Sequence, residues 1–404
     1  LRERSPREYR AILREQLAGQ DLDAQVELVC NAPGRHRAEL LGLLPEPEKV
    51  IPRLPEAELC FIVSAVGVAD GAWILEHATP EQLVTCVDLA AWGRDDLPDR
   101  RSLDAWLDAL REAGDAALLR AAHALDPELL VLEIRHRAEV WMKPNDDQGW
   151  QPPAGARSED GVFYYRARRE GDDLASLVHL LRILFQEDYW LYFRLLQGAI
   201  WELESDCEAW AERWRTGRLE DLGFPSREEA IGVYARLESG QMLWVPAEAR
   251  ALDVSAWRLP VLQPRLPVAP DAREPLFRAA AGLDDEERAA FLYAFLALVV
   301  RVAVADRMPL GDPESIPTAL ERAAELAGAG LELLAEEHGL EGAAVLRHVP
   351  VARLFRVGAN LLGVRPLVPP EEGEERDGGE GDGTGRGEPG TSVISNPEVS
   401  LKEG

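Results

Sequence analysis

Lysine is nearly absent. It stands only at Lys49, Lys143 and Lys402, and arginine carries almost all of the positive charge. The accompanying excess of alanine, leucine and glycine has the bias of a GC-rich genome, which explains the missing lysines without a functional cause. The four cysteines, Cys30, Cys60, Cys86 and Cys207, include no C-x-x-C pair. Their spacing excludes zinc-ribbon and secreted disulfide frameworks and points to buried, reduced thiols. No charged-then-apolar-then-small leader opens the chain, so a cytoplasmic location is expected. Basic patches are missing too. The densest cluster, Arg166, Arg168 and Arg169, runs straight into Glu170, Asp172 and Asp173. With a net charge of -28, the surface repels phosphate backbones and anionic headgroups, so no nucleic-acid partner is expected.

Long apolar runs are scarce. The one that invites a membrane test, Ala289 to Ala305, is broken by Arg301. It falls short of the roughly 20 residues of a span, and a central Arg costs about 2.5–3.5 kcal/mol there. Acids from Asp284 to Glu287 and Asp306-Arg307 bound it as the ends of a core helix, so no membrane insertion is expected.

Catalytic signatures are equally sparse. No P-loop, G-x-S-x-G or H-E-x-x-H occurs. Gly385-Arg-Gly387-Glu-Pro-Gly390 spells G-x-G-x-x-G but lacks the strand before and helix after that a dinucleotide site needs. Glu133-x-x-His136 has the spacing of half a di-iron site, yet no second E-x-x-H accompanies it. It reads as a surface salt-bridging pair with Arg135 or Arg137. No cofactor is expected.

What the chain does contain is helix. Residues 1–142 read as short helices with legible starts. Thr79-Pro80-Glu81-Gln82 carries a hydroxyl cap, Pro at the first helical position and Gln for a capping box. Asp126-Pro127-Glu128 repeats this with a carboxylate cap, and Pro55-Glu56 marks a third start. Pro33, Pro80 and Pro127 stand 47 residues apart, a spacing compatible with a solenoid of helical hairpins. Residues 143–171 form a loop rich in Pro, Asp and Gly, with one short β element in Gly161–Arg168. A second helical block fills 172–366. It includes a capping box at Ser226 with Glu229, a Pro-rich connector over 245–275, a capping box at Thr318 with Glu321, and a last helix from Leu340 to Leu362. From residue 367 to 404 Gly, Glu and Asp dominate, and this acidic tail reads as disordered. The expected fold is therefore mostly α: a solenoid-like N-terminal block and a second helical block.

Phe185 to Trp214 is the densest unusual stretch. Glu187, Asp188, Glu202 and Asp206 are candidate catalytic carboxylates, and Tyr189, Trp190, Trp201, Trp210 and Trp214 are candidate partner-binding aromatics. Glu202 with Asp206 and Glu208 with Glu212 lie four apart, and such pairs on helix faces could hold a divalent cation through hard oxygens. Arg194, Arg213 and Arg215 could neutralise them instead. Aromatic stripes at this spacing ordinarily face a core. Two functions compete: a non-enzymatic interaction or scaffold protein with a protein partner, and a metal-dependent or acid–base enzyme built on these carboxylates.

The run from Phe185 to Leu203, then Arg213 to Pro225, resembles an uncharacterised bacterial family of unknown function. Ala78-Thr-Pro-Glu-Gln-Leu83 and Val304-Ala-Asp-Arg-Met-Pro-Leu-Gly-Asp-Pro313 fit the same family. The likeness implies an all-helical architecture and carries no assigned activity. In its Pro-Glu-x-Leu helix starts, the N-terminal block also resembles the cytosolic helical domain of bacterial magnesium transporters.

Overall fold

Polar side chains set where the helices begin. The Asp21 carboxylate accepts from the Ala24 amide (2.8 Å), and Asp99 accepts from Ser102 (3.1 Å). Thr79 and Gln82 form the full capping box, with reciprocal bonds of 3.2 and 2.9 Å. Asp284 and Glu287 form another. The computed structural model describes residues 14–15, 17–145, 149–169, 171, 173–237 and 266–367. The tail read as disordered, from residue 368 on, and the 245–265 part of the connector lie outside the described residues.

Among the described residues the chain forms eighteen α-helices, two 3-10 turns and one two-stranded sheet. First come α1 (Leu22–Asn31), α2 (Gly34–Leu41), α3 (Pro47–Val50), α4 (Glu56–Val66), α5 (Ala72–Leu75) and α6 (Pro80–Ala90). Next are α7 (Arg100–Ala113), α8 (Asp115–Ala124) and α9 (Pro127–Arg137), then β1 (Ala138–Met142) and β2 (Phe163–Ala167). The second half holds α10 (Ala175–Glu187), α11 (Tyr189–Trp201), α12 (Glu204–Leu222), α13 (Arg227–Ile231) and α14 (Pro275–Ala280). It ends with α15 (Asp285–Ala305), α16 (Ser315–His338), α17 (Gly342–His348) and α18 (Val351–Leu361). In the first half helices pack on next-but-one neighbours, α4 on α6 and α6 on α8, while α12 returns to lie on α6 and α9. The buried apolar side chains form a continuous core, with Trp106 among its largest members.

Four local expectations are corrected. Residues 138–142, read as helix, are strand β1, antiparallel to β2 with Ala138 opposite Ala167 and Met142 opposite Phe163. Pairing decides here: Glu139 meets Arg166 directly across the ladder (2.8 Å), and the Arg166 guanidinium lies over Trp141. The Asp126 carboxylate makes no cap bond to α9, because it is taken by Arg218. Thr318 opens no helix. Helix α16 starts at Ser315, and the Thr318 hydroxyl bonds back to the Glu314 carbonyl. The last helix is two, split where Pro350 follows Val349, since a residue before proline is pushed out of the helical region.

The segment from Val304 to Pro313 is a junction. Asp306, almost fully buried, pairs with Arg322 (2.9 Å), accepts from the Tyr234 hydroxyl (3.1 Å) and accepts from the Leu367 amide (3.1 Å). Gly311 lies so close to Ala90 that a Cβ there would collide with it. Helix α15 is long and apolar enough to cross a membrane. It packs against α13, α16 and α18, and only Asp285, Glu286, Ala289 and Arg301 of it are exposed. Helices α16 and α18 cross at Gly330 and Gly358, where a Cβ on either would overlap a carbonyl of the facing helix.

Candidate functional site

Helix α11 buries Tyr192, Leu195 and Leu196 and turns Trp190, Arg194, Gln197 and Trp201 away from them, at steps of four, three and four. That spacing is one helical stripe. Helix α12 inverts the usual amphipathic order. Its buried stripe is Cys207, Ala211, Arg215 and Leu219, while Trp210 and Trp214 face water, stacked with centroids 5.9 Å apart. The aromatic stripe expected to face a core does so at Tyr192, with Phe185 and Phe193 half-buried. Tyr189 is 40% exposed, Trp190 76%, Trp201 54%, Trp210 46% and Trp214 48%.

The four candidate carboxylates divide between the two ends of α11, a helix about 20 Å long. Glu187 is exposed at the end of α10. Asp188 caps α11 by accepting from the Leu191 amide (3.0 Å) and pairs with His123 (3.1 Å). At the far end, Glu202 and Asp206 are not neighbours on one helix, because α11 stops at Trp201 and α12 starts at Glu204. Glu202 instead bonds Arg194 (2.6 Å), whose other nitrogen reaches Glu128 (3.3 Å). Of the other expected neutralisers, Arg213 lies over the Trp210 ring and Arg215 is buried.

Glu202 and Asp206 do meet in a cleft of about 400 Å³, with Glu128, Arg194, Trp201, Leu203, Cys207 and Trp210. Three carboxylates face one guanidinium there. No ion pair or hydrogen bond engages the Asp206 carboxylate, and no ring or cation stacks on Trp201, among the described residues. Cys207 is buried and bonded to Glu202. Burial, then its bond to Glu202, pushes its thiol up to about 12, so it stays protonated at neutral pH. All four cysteines are free and buried. Sequence reasoning missed Glu128 and Leu203. Glu128 comes from α9 and is 66 residues from Arg194 in the chain, so no local pattern could reveal it.

Charged groups beneath the aromatic face hold α12 in place. Arg218 forms two bidentate pairs, with Asp88 (2.7 and 2.9 Å) and Asp126 (2.9 and 2.7 Å). Burial raises the Asp88 pKa, and the Arg218 bonds act against that rise. Arg215 donates to the Asp88 carbonyl (2.8 Å) and lies over Trp92. The Glu133-x-x-His136 pair is not a surface pair. Glu133 is buried beside Asp104 and Arg137, and desolvation, then Asp104, lifts its pKa to about 9. His136 turns the other way to Glu204 (2.9 Å). A second cleft, of about 330 Å³, is lined by Ser64, Trp92, Ser102, Trp106, Pro309 and Asp312 among others. Its Ser102 hydroxyl is committed to Asp99.

Among the described residues no group of three His, Cys, Asp or Glu side chains could hold a metal ion. No curated protein and no solved structure matches the chain. A model for a family of unknown function, DUF6178, matches residues 14–363, and the chain belongs to that family.

Proposed function

We propose that the chain is a non-enzymatic, intracellular interaction protein that docks a partner protein on the outward face of α11 and α12. One observation carries this: four tryptophans there are each about half exposed or more. Clustered exposed aromatics are uncommon on a surface that has no partner, and tryptophan is the residue most enriched among energetic anchors of interfaces. The fold supports the same role. Helix α12 is anchored from below by Arg215 and Arg218, so its tryptophans are not needed to hold it. A net charge of -28 argues against nucleic acid and anionic membrane as the partner. An acid–base role for Glu187, Asp188, Glu202 and Asp206 draws less support. Two of them stand at the opposite end of α11 from the cleft, and Glu202 is already neutralised by Arg194.

The test compares affinity enrichment from the native host by the full chain and by a Trp190→Ala/Trp210→Ala/Trp214→Ala variant. Proteins held by the wild type and lost from a variant with an unchanged thermal melt are the expected outcome. Identical enrichment profiles would remove the docking role from this face.

A further inference from the structure

We infer that the cleft at the α11–α12 turn receives an arginine side chain from a basic segment of the partner protein. The inference rests on the docking role proposed above and names the chemistry that the site selects. Charge complementarity carries it. Glu128, Glu202 and Asp206 line the cleft with Arg194, which is shared between Glu128 and Glu202, while Arg135 at the same turn donates to the Ala199 and Glu202 carbonyls. Asp206 is an exposed carboxylate with no ion pair or side-chain hydrogen bond among the described residues, and Trp201, half exposed and with no ring or cation on it, lines the same cleft. A carboxylate and an exposed indole lining one cleft are groups that a guanidinium satisfies together, by fork-like hydrogen bonding and by stacking.

The molecule already sets a guanidinium over an indole three times within itself, and once beside a carboxylate as well, where Arg166 pairs with Glu139 and lies over Trp141. Arg213 lies 5.3 Å from the Trp210 ring centroid, and Arg215 lies 4.7 Å from that of Trp92. Lysine suits the cleft less well, because its compact ammonium is more strongly hydrated and has no plane to stack. A divalent cation suits it less again. The cleft offers three carboxylates, but Arg194 already occupies two of them, and no metal-holding group is formed among the described residues.

The test titrates the full-length protein into short fluorescein-labelled peptides at physiological salt and reads anisotropy. One peptide alternates glycine with arginine, a second replaces each arginine by lysine, and a third is neutral and bears leucine and phenylalanine. The arginine peptide is expected to bind about tenfold more tightly than the lysine peptide, and Trp201→Ala and Asp206→Asn should each weaken it by about the same factor. Trp201→Phe should restore part of the loss. Glu336→Gln, an exposed carboxylate on α16 outside the cleft, should leave binding within about twofold. Equal binding of the arginine and lysine peptides, indifferent to Trp201 and Asp206, would mean diffuse attraction to an acidic surface and would overturn the inference. Binding of the neutral peptide alone, lost in Trp190→Ala, would overturn it too while leaving the docking role intact. Binding of none of the peptides also overturns it, and the docking role is then decided by the enrichment comparison alone.

Discussion

Where α16 crosses α18, two glycines bring backbone against backbone; where α12 lies on α6 and α9, two arginines reach inward and the tryptophans are left in water. The first joins next-but-one helices, while the second joins residues 127 and 92 apart in the chain. The first depends on having no side chain at all, so its strength is shape. The second depends on buried charge matched to charge, so its strength is conditional on every partner being present. That difference frees α12 to carry large aromatics outward, because its attachment does not need them.

The largest effect should come from breaking the charged contact. Arg218→Met leaves Asp88, 1% exposed, without its bidentate partner, and stripping one partner from a buried pair costs about 3–5 kcal/mol. Urea unfolding monitored by tryptophan fluorescence should show a large fall in midpoint, partly recovered by adding Asp88→Asn. A loss near zero would mean that the anchor is not what holds α12. Next is the shape-dependent contact. In an exposed helix Gly→Ala stabilises, but in Gly358→Ala the methyl would overlap the Leu326 carbonyl and force the helices apart, at a cost of about 2–3 kcal/mol. Thermal melts decide its sign.

A pH titration should also separate the two regions. On the buried side of α9, Glu133 is lifted from the ordinary 4.5 to about 9 by burial, then by Asp104. Through that window the folded chain holds a proton that the unfolded chain releases, so this group's contribution is fully present below 4.5 and is lost as pH rises toward 9. The slope is at most about 1.4 kcal/mol per pH unit. Stability measured across this range should decline with pH in the wild type, and the decline should flatten in Glu133→Gln. Gly358→Ala should lower the whole curve without changing its slope. An unchanged slope in Glu133→Gln would show that Glu133 is not the group that holds the proton.

The sequence revealed local features and hid distant ones. The Thr79–Gln82 capping box could be read because all its atoms come from four successive residues, and of the box expected at Ser226 only the hydroxyl half forms, accepting from the Glu229 amide. Asp126 was misread because its carboxylate answers to Arg218, 92 residues on. Strand β1 was misread because its partner lies beyond an intervening loop, and pairing outweighed a short helical pattern. The aromatic–acidic stretch was visible as unusual, yet its direction was not. Spacing alone places Trp210 and Trp214 on one stripe, and it is the burial of Cys207, Ala211, Arg215 and Leu219 on the neighbouring stripe that leaves the tryptophans facing water. The crossing at Gly330 and Gly358 leaves no trace in spacing, since Gly217 in α12 looks the same in sequence and meets nothing within 4 Å.

Gly217 and Trp190 supply the smallest and most discriminating changes. Gly217→Ala adds a methyl into open space on an exposed helical turn, so helix propensity should act alone and raise stability by about 0.5–1 kcal/mol. This is the opposite sign to the same substitution at Gly358. Trp190→Ala should move stability by no more than about 0.5 kcal/mol, as for other exposed positions, whereas Trp106→Ala, at a fully buried site, should cost about 3–5 kcal/mol. The ratio between these two tryptophans measures how far the outward ridge is spared from folding duty. If Trp190→Ala proved as costly as Trp106→Ala, the ridge would be part of the core and the case for docking on it would fall. A near-zero cost, combined with lost partner enrichment, would leave binding as the reason that so much indole faces water.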